Sequence, residues 1–430
     1  MSQSTLISDL FSQTSKVPSI APGSPETFGL PAEAVRPQPR VSANWSDLEL
    51  QVFDDLAGVE EEWKDFERNA DCTVFQSYNW LAKWQQHIGT RIGTSPAIVL
   101  GRGAGGNLVF IMQLTIARRG PVRCLTWLGS ELCDYNAPLL AADFSQRFAP
   151  ERFVGLWNEV VRLLRGQAQF GFDLIDLQKM PESVGRQNDP FLALPVQPHP
   201  SGAYIATLTD DWEKFYAAKR SSSTRKRERR QLKHLAEHGE VRFIDVQEPN
   251  DIARTLDELI ARKSRALARM GVEDLFARPG YREFFLDVAT DHNVGALTHV
   301  SRLDVGTTSA AANLGLTFRD SYYLVLSSYH DGELARFGPG RAHLHELMRH
   351  AIERGFARFD FTVGDEGYKR DWSDTELKLY DYLAGETAQG WLVVALTSAY
   401  RRTKRFIKQT PILWSTFSRL RAHLRRPRGR

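Results

Sequence analysis

Tyr322-Tyr323-Leu324-Val325-Leu326-Ser327-Ser328-Tyr329 leads, six residues later, into Arg336-Phe337-Gly338-Pro339-Gly340-Arg341, and Leu344, Leu347, Met348, Ala351 and Ile352 follow. The aromatic and aliphatic enrichment of the first stretch, between turn signals, predicts a strand. The spacing of the last five predicts a helix over 341–354, with Gly355 as its stop. A strand, a glycine turn and a helix in succession bring free backbone N–H groups and the positive end of the helix dipole to one spot, which favours an anion. Glycines let the backbone approach phosphate oxygens with no Cβ in the way. Arg336 and Arg341 add charge that pairs with phosphate. A pyrophosphate-bearing cofactor is the natural occupant, although the same letters also suit a tight turn that serves the backbone alone. The loop is not a Walker sequence, since no Gly-Lys-Ser/Thr follows, and His343 stands where a dinucleotide motif needs its third glycine.

Outward from this loop, the second half reads as strands at 296–303, 310–317 and 322–329, the helix at 341–354, and a returning strand at 357–363. The first half repeats the plan, with strands at 97–100, 108–117 and 123–128, a helix at 151–164 and a strand at 172–177. The expected fold class is therefore α+β, built by internal duplication. The first-half segment that corresponds to the loop, 134–143, holds no glycine, so only the second half is expected to bind a nucleotide cofactor. Residues 1–45, with six prolines and eight serines, read as a disordered leader, with structure beginning near Leu48. The two modules are expected at 46–197 and 203–390, separated by Pro195, Pro198 and Pro200. A helical pair, 212–219 and 225–238, opens the second, and 391–430 forms a tail.

Of 430 residues, 42% are hydrophobic and 25% charged, a globular composition with apolar material for sizeable cores. Cys72, Cys124 and Cys133 form no C-x-x-C pair and are odd in number, so they read as reduced thiols of a cytoplasmic protein. No secretory signal and no membrane-spanning run is visible. No His, Cys and acid cluster has metal-ligand spacing, so no metal is expected. The formal charge of +3 becomes −8 once the eleven Lys and Arg of 401–430 are set aside. That tail interleaves Phe406, Ile407, Leu413, Trp414 and Phe417 with arginines, which suits an anionic membrane surface and a peripheral place at the inner membrane. Nucleic acid is the less favoured competitor. A second basic stretch, 219–233, carries eight Lys or Arg against the single acid Glu228. It reads either as a groove wall for an anion or as a solvated helix face.

Several segments together resemble a known family. Phe75-Gln76-Ser77 with Trp80-Leu81 and Trp84, the basic helix 225–235, the Phe337-Gly338-Pro339-Gly340 loop, and Phe359-Asp360-Phe361 leading to Gly364-Asp365-Glu366-Gly367-Tyr368-Lys369-Arg370-Asp371-Trp372 occur in the order found in bacterial CelD-type, cellulose-biosynthesis-associated GNAT acetyltransferases. The resemblance spans roughly residues 50–385. It implies tandem GNAT-like modules, each a mixed, mostly antiparallel sheet flanked by helices, as in FemABX transferases. It implies an enzyme that moves an acyl group from acyl-CoA, acetyl-CoA above all, to an amine or hydroxyl of a small-molecule or saccharide acceptor, in exopolysaccharide or envelope biosynthesis. Cofactor binding would then fall to Arg336, Gly338, Gly340 and Arg341. The family's usual loop is Arg/Gln-x-x-Gly-x-Gly/Ala, and this chain has one residue fewer before the first glycine and a proline between the two.

Acyl transfer to an amine requires loss of an amine proton, stabilisation of the carbonyl oxygen and departure of a thiolate. Tyr368 and Lys369 resemble the Tyr-Lys that closes the family's domain. The tyrosine would protonate the thiolate, and the lysine would bind phosphate or developing charge. Asp365 or Glu366, just past a strand end, would serve as base. His330, Asp331 and Glu333 are nearby candidates, and Asp360 reads as a buried, hydrogen-bonded aspartate. Two alternatives stand beside this reading: a FemABX-like transferase using aminoacyl-tRNA, and a non-catalytic membrane-associated scaffold.

Overall fold

A computed structural model describes residues 38–291 and 297–409; the expected leader up to residue 37 and most of the tail lie outside them. The first sheet contains β1 (Val41–Trp45), β2 (Leu48–Phe53), β3 (Ser95–Gly103), β4 (Leu108–Arg119), β5 (Val122–Trp127) and β6 (Leu174–Pro181) in that order. The helices α1 (Glu60–Glu67) and α2 (Tyr78–Trp84) lie between β2 and β3, and α3 (Pro150–Arg165) lies between β5 and β6. Structure thus begins earlier than the expected boundary at 45. Val41–Trp45 pairs antiparallel with Leu48–Val52, because Ser46, at φ 55°, closes a tight turn between two alternating stretches.

The second half opens with β7 (Ala203–Thr207), α4 (Trp212–Lys219), α5 (Ser222–Ala236), β8 (Val241–Asp245), α6 (Pro249–Arg269) and α7 (Tyr281–Thr290). It continues through β9 (Thr298–Val305), β10 (Thr308–Phe318), β11 (Ser321–Tyr329), α8 (Pro339–Glu353), β12 (Arg358–Val363), α9 (Gly367–Trp372), β13 (Thr375–Leu377), β14 (Leu379–Gly385) and α10 (Ala388–Gln409). Its sheet runs β8-β9-β10-β11-β12-β7-β13. The only parallel pairings among the described strands are β5 with β6 and β11 with β12. Both sheets are therefore mixed and mostly antiparallel, and the fold class is α+β with two modules of one plan.

One strand crosses from the second module to the first sheet, which corrects the expected extent of the second module. β14, expected in the second module, pairs antiparallel with β6 of the first sheet from Leu379↔Pro181 to Gly385↔Leu174. β7, at the start of the second module as expected, pairs with β12 of its own sheet. Both of these strands meet the same irregularity. Gln178 and Lys179 bulge opposite Asp381, and Phe361 and Thr362 bulge opposite Tyr204. In both bulges the second residue is a non-glycine at φ 58°, a costly conformation retained at corresponding places. The bulge is thus a shared mark of the duplication. The expected tail boundary at 390/391 falls inside α10, which docks on the first sheet through Val394 against Val122, Cys124 and Leu174. Gly390 allows this approach, since a Cβ there would collide with the Asp173 backbone.

The largest core lies between the modules. Trp63, Trp80 and Trp84 from the first meet Leu256, Phe284 and Tyr323 from the second in one cluster, with Trp80 edge-on to Phe284 at 4.8 Å. Each such side chain contributes about 1.5–3 kcal/mol by leaving water, so the two modules are welded rather than hinged. No helix among the described residues is long and apolar enough to cross a membrane.

Candidate active site

Beyond Tyr323↔Asp360 the parallel strands β11 and β12 part. The β11 edge facing β12 then has no strand partner, apart from Thr362 Oγ1 donating to the Leu324 carbonyl at 3.1 Å. The wedge so opened is a cleft of about 360 Å³ lined by Ser327, Ser328, Tyr329, Gly340, Leu344 and Tyr368, among others. A larger cleft of about 730 Å³ lies between α5 and α8, lined by Arg225, Arg229, Arg341 and Arg349 around Glu228. Gly338 and Arg341, at the start of α8, line both.

In the first module, β5 and β6 pair only as far as Leu125↔Ile175 before they too part. There the segment around Asn136 occupies the gap: its backbone N–H donates to the Lys179 carbonyl and its side chain to the Gln178 carbonyl, both at 3.0 Å. Gln76 Nε2 pins the same segment at the Tyr135 carbonyl, 2.8 Å away. Among the described residues, the open wedge belongs to the second module.

The α8 start is narrower as an anion cradle than its glycines suggested. Gly338 adopts φ 69°, and its N–H already donates to the Ala335 carbonyl at 3.1 Å. Its expected role as a phosphate donor is therefore corrected. The N–H groups of Arg341 and Ala342 both donate to the Gly338 carbonyl at 3.1 Å, and Pro339 has none. Gly340 is left as the donor of the first turn. Arg336 is exposed, with its guanidinium over the Phe337 ring at 4.7 Å, and lines neither cleft.

The charge comes instead from the basic stretch 219–233, one of whose two readings was a groove wall for an anion, together with Arg341. Arg220 closes the wedge beside Trp372, whose ring it covers at 4.6 Å, and it bonds to Glu228 and Asp371 at 3.0 Å. Arg220 Nε and Arg225 Nε are buried with no hydrogen-bond partner, which costs free energy unless a ligand supplies an acceptor. Glu228, the single acid of the basic stretch, is the buried centre of this group. It accepts from the Tyr216 hydroxyl at 2.6 Å and lies 3.9 Å from Arg341 and 3.8 Å from His345. Burial pushes His345 down to about 4, so it stands there neutral.

The expected catalytic pair is split. Tyr368 lines the wedge with 39% of its surface exposed, and the partial desolvation of its phenol, with the Glu366 charge, raises it above the ordinary value. Lys369 turns the other way. Its buried ammonium meets the Val363 carbonyl at 2.9 Å, the Thr362 carbonyl at 3.4 Å and Glu366 at 3.1 Å, locking the bulge of β12. Successive residues of the short helix α9 diverge by about 100°, so adjacent letters could not both face the cleft. Gly364 adopts φ 142°, a backbone conformation strained for any residue with a side chain, which explains the glycine there. Asp365, the expected base, is exposed and lines neither cleft. His330 Nδ1 accepts from the Gly332 N–H at 3.0 Å, and Asp331 is taken by Arg265 and Arg269. Lys263 of α6 lies close enough to feel both Glu366 and Lys369, and burial lowers its ammonium to about 8; nothing in its local sequence signals this.

Residues 222–370, from α5 through α9, match the family described as an acetyltransferase (GNAT) domain. No curated protein matches the chain. FemX is similar in structure, with a TM-score of 0.51 at 11% identity over 76% of this chain and 94% of that one. A conserved protein of unknown function from Bacteroides thetaiotaomicron VPI-5482 follows at 0.49 and 12%, over 78% and 99%. A tandem GNAT protein from the clavulanic acid biosynthesis pathway gives 0.44 and 12%, over 79% and 99%. At such identities the likeness speaks of fold and not of substrate. The fold is thus a tandem of GNAT-like modules, and the segment that matches the acetyltransferase (GNAT) domain description, 222–370, lies in the second.

Proposed function

We propose that the second module transfers an acyl group from an acyl-CoA, acetyl-CoA in the first instance, to an amine. The observation that carries this reading is the open wedge between β11 and β12 with the α8 start at its mouth. An unpaired strand edge offers backbone groups to an extended, amide-bearing arm. The Gly340 N–H, Arg341 and the unpartnered N–H groups of Arg220 and Arg225 suit the diphosphate end. When bound, the thioester supplies an activated carbonyl. Tyr368 holds its proton at neutral pH and is the acid for the departing sulfur. Lys369 acts as a positioning residue for the turn that carries Tyr368. An amine of a bacterial exopolysaccharide or envelope precursor is the acceptor that the family resemblance favours.

A second reading, an aminoacyl-tRNA-dependent transferase, draws on the exposed Lys226, Arg227, Arg230 and Lys233 of α5, a surface suited to a polyanion. Calorimetric titration with acetyl-CoA and a longer acyl-CoA, beside Gly340→Trp, separates the two. A Cβ at Gly340 already meets Tyr329 at 3.0 Å, so an indole would crowd the wedge mouth. Binding by the wild type that is lost in the variant supports the acyl-CoA reading. Binding of neither ligand sinks it, and aminoacyl transfer that RNase abolishes would put the second in its place.

A further inference from the structure

Three side chains from three elements converge away from both clefts. Asp245 ends β8, His299 lies in β9 and His350 lies near the C-terminal end of α8, each with a ligand atom within 4.8 Å of the others. His299 is 7% exposed, and its Nε2 is buried with no hydrogen-bond partner, 3.5 Å from Asp245 Oδ1.

The other ring nitrogen fixes what that Nε2 carries. Tyr322 Oη lies 2.8 Å from His299 Nδ1. The Asn313 amide is fully satisfied when its oxygen takes the Tyr322 hydroxyl at 2.8 Å and the Gly315 N–H at 3.0 Å, and its nitrogen donates to the Leu326 carbonyl at 3.2 Å. Tyr322 then gives its proton to Asn313 and accepts from His299, so the imidazole proton sits on Nδ1. A lone pair on Nε2 therefore faces a carboxylate oxygen, two acceptors with nothing between them. A cation removes that repulsion.

We propose that Asp245, His299 and His350 bind a divalent transition-metal ion of the zinc class. A histidine that donates through its far nitrogen while the near one faces the ion is the arrangement that orients metal ligands. Zinc–ligand bonds of about 2.0–2.1 Å put tetrahedral ligand atoms about 3.3 Å apart, near the His299–Asp245 spacing. His350 stacks on His299 at 4.4 Å and 6°, and it is half-buried, so it tilts out of the stack to reach the ion. Gln247 donates to Asp245 Oδ1 at 2.5 Å, and the exposed Arg354 lies 3.4 Å from Oδ2; Arg354 swings into solvent when the ion enters. Neutral imidazole is the form that ligates such an ion. Three protein ligands leave a fourth position for water. The ion then ties the edge strand β8 to β9 and α8, as a staple of the sheet edge.

The test uses tag-free, chelator-treated full-length protein, titrated with zinc and with cobalt by calorimetry and visible absorption. Asp245→Asn and His350→Ala, both at the rim of the buried His299, are run in parallel, with urea unfolding to establish that they fold. The expected result is one ion per chain, tetrahedral cobalt bands, a Tm raised by zinc in the wild type, and affinity at least about tenfold lower in each folded variant. A wild type that takes up no stoichiometric zinc, or folded variants that bind it as well as the wild type, overturns the proposal. Neither outcome depends on acyl-CoA binding, since none of the three residues lines either cleft.

Discussion

The Tyr135 hydroxyl donates to Asp360 Oδ1 at 2.7 Å, joining the segment that fills the first module's gap to the strand that forms one wall of the second module's wedge. Asp360 also accepts from the Thr362 N–H at 2.7 Å, on the bulge itself. Burial nevertheless outweighs these two donors and raises the Asp360 carboxyl from 3.8 to about 7. For an acid whose folded pKa lies above its unfolded one, the folded state holds the extra proton between the two values. Stability is therefore expected to fall as pH rises from about 4 to about 7. In urea unfolding across that window, Asp360→Asn should flatten this part of the profile. Tyr135→Phe should cost about 1–3 kcal/mol and leave the slope present. A slope unchanged in Asp360→Asn would show that the carboxyl does not titrate there.

Glu228 gathers Tyr216, Arg220, Arg341 and His345 behind the start of α8. Removing one partner of a buried charged group typically costs about 3–5 kcal/mol. Glu228→Ala is expected to lower the stability read from urea unfolding by an amount in that range. Lys226→Ala, on the exposed face of the same helix, serves as the contrast and should stay within about 0.5 kcal/mol of the wild type.

Tyr368 and Lys369 are neighbours in sequence and opposites in role. Tyr368→Phe should lower kcat by about 10²–10⁴-fold with little change in the affinity for acyl-CoA. Lys369→Met should instead lower Tm, since it frees the bulge carbonyls and Glu366, and the activity that remains should keep the wild-type pH profile. Steady-state kinetics beside thermal melts separate the two.

Trp391, Leu392 and Leu396 are about 60% exposed on α10, just before the eleven cations of 401–430. Each basic residue near an anionic surface contributes about 1 kcal/mol. Deleting 401–430 is therefore expected to weaken sedimentation with anionic vesicles by more than about tenfold, and Trp391→Glu to weaken it further. Equal binding to neutral and anionic vesicles would remove the electrostatic part of this expectation.

Much of the site's framework was legible in local pattern. The stripe at 344, 347, 348, 351 and 352 is the buried face of Pro339–Glu353, and Trp212–Lys219 forms the helix expected there. Ser221 caps α5, accepting from the Thr224 N–H at 3.2 Å, and the helix begins at Ser222, three residues before the expected start at 225. The glycine-free first-half segment is where the gap is filled, and the glycine-bearing second-half loop is where a wedge stays open. These features depend on periodicity, capping and glycine geometry, which act over a few residues.

The remainder depended on which distant groups meet. Nothing in Leu379–Gly385 says that it leaves its own module to pair with Leu174–Pro181, because a strand's letters fix its faces but not its partner edge. Lys369 and Asp365 looked like chemistry until burial and helix phase turned one inward and left the other outside both clefts. The lone acid among eight cations became the buried centre of the site, and Asp245, His299 and His350, far apart along the chain, share no motif at all. Local letters were enough to set the helices, the strands and their repeated order, since short-range sterics and hydrophobic period decide those. The exchanged strand, the orientation of each charged side chain and the open wedge came only with the folded chain, where long-range pairing and desolvation choose among partners that local sequence leaves equivalent.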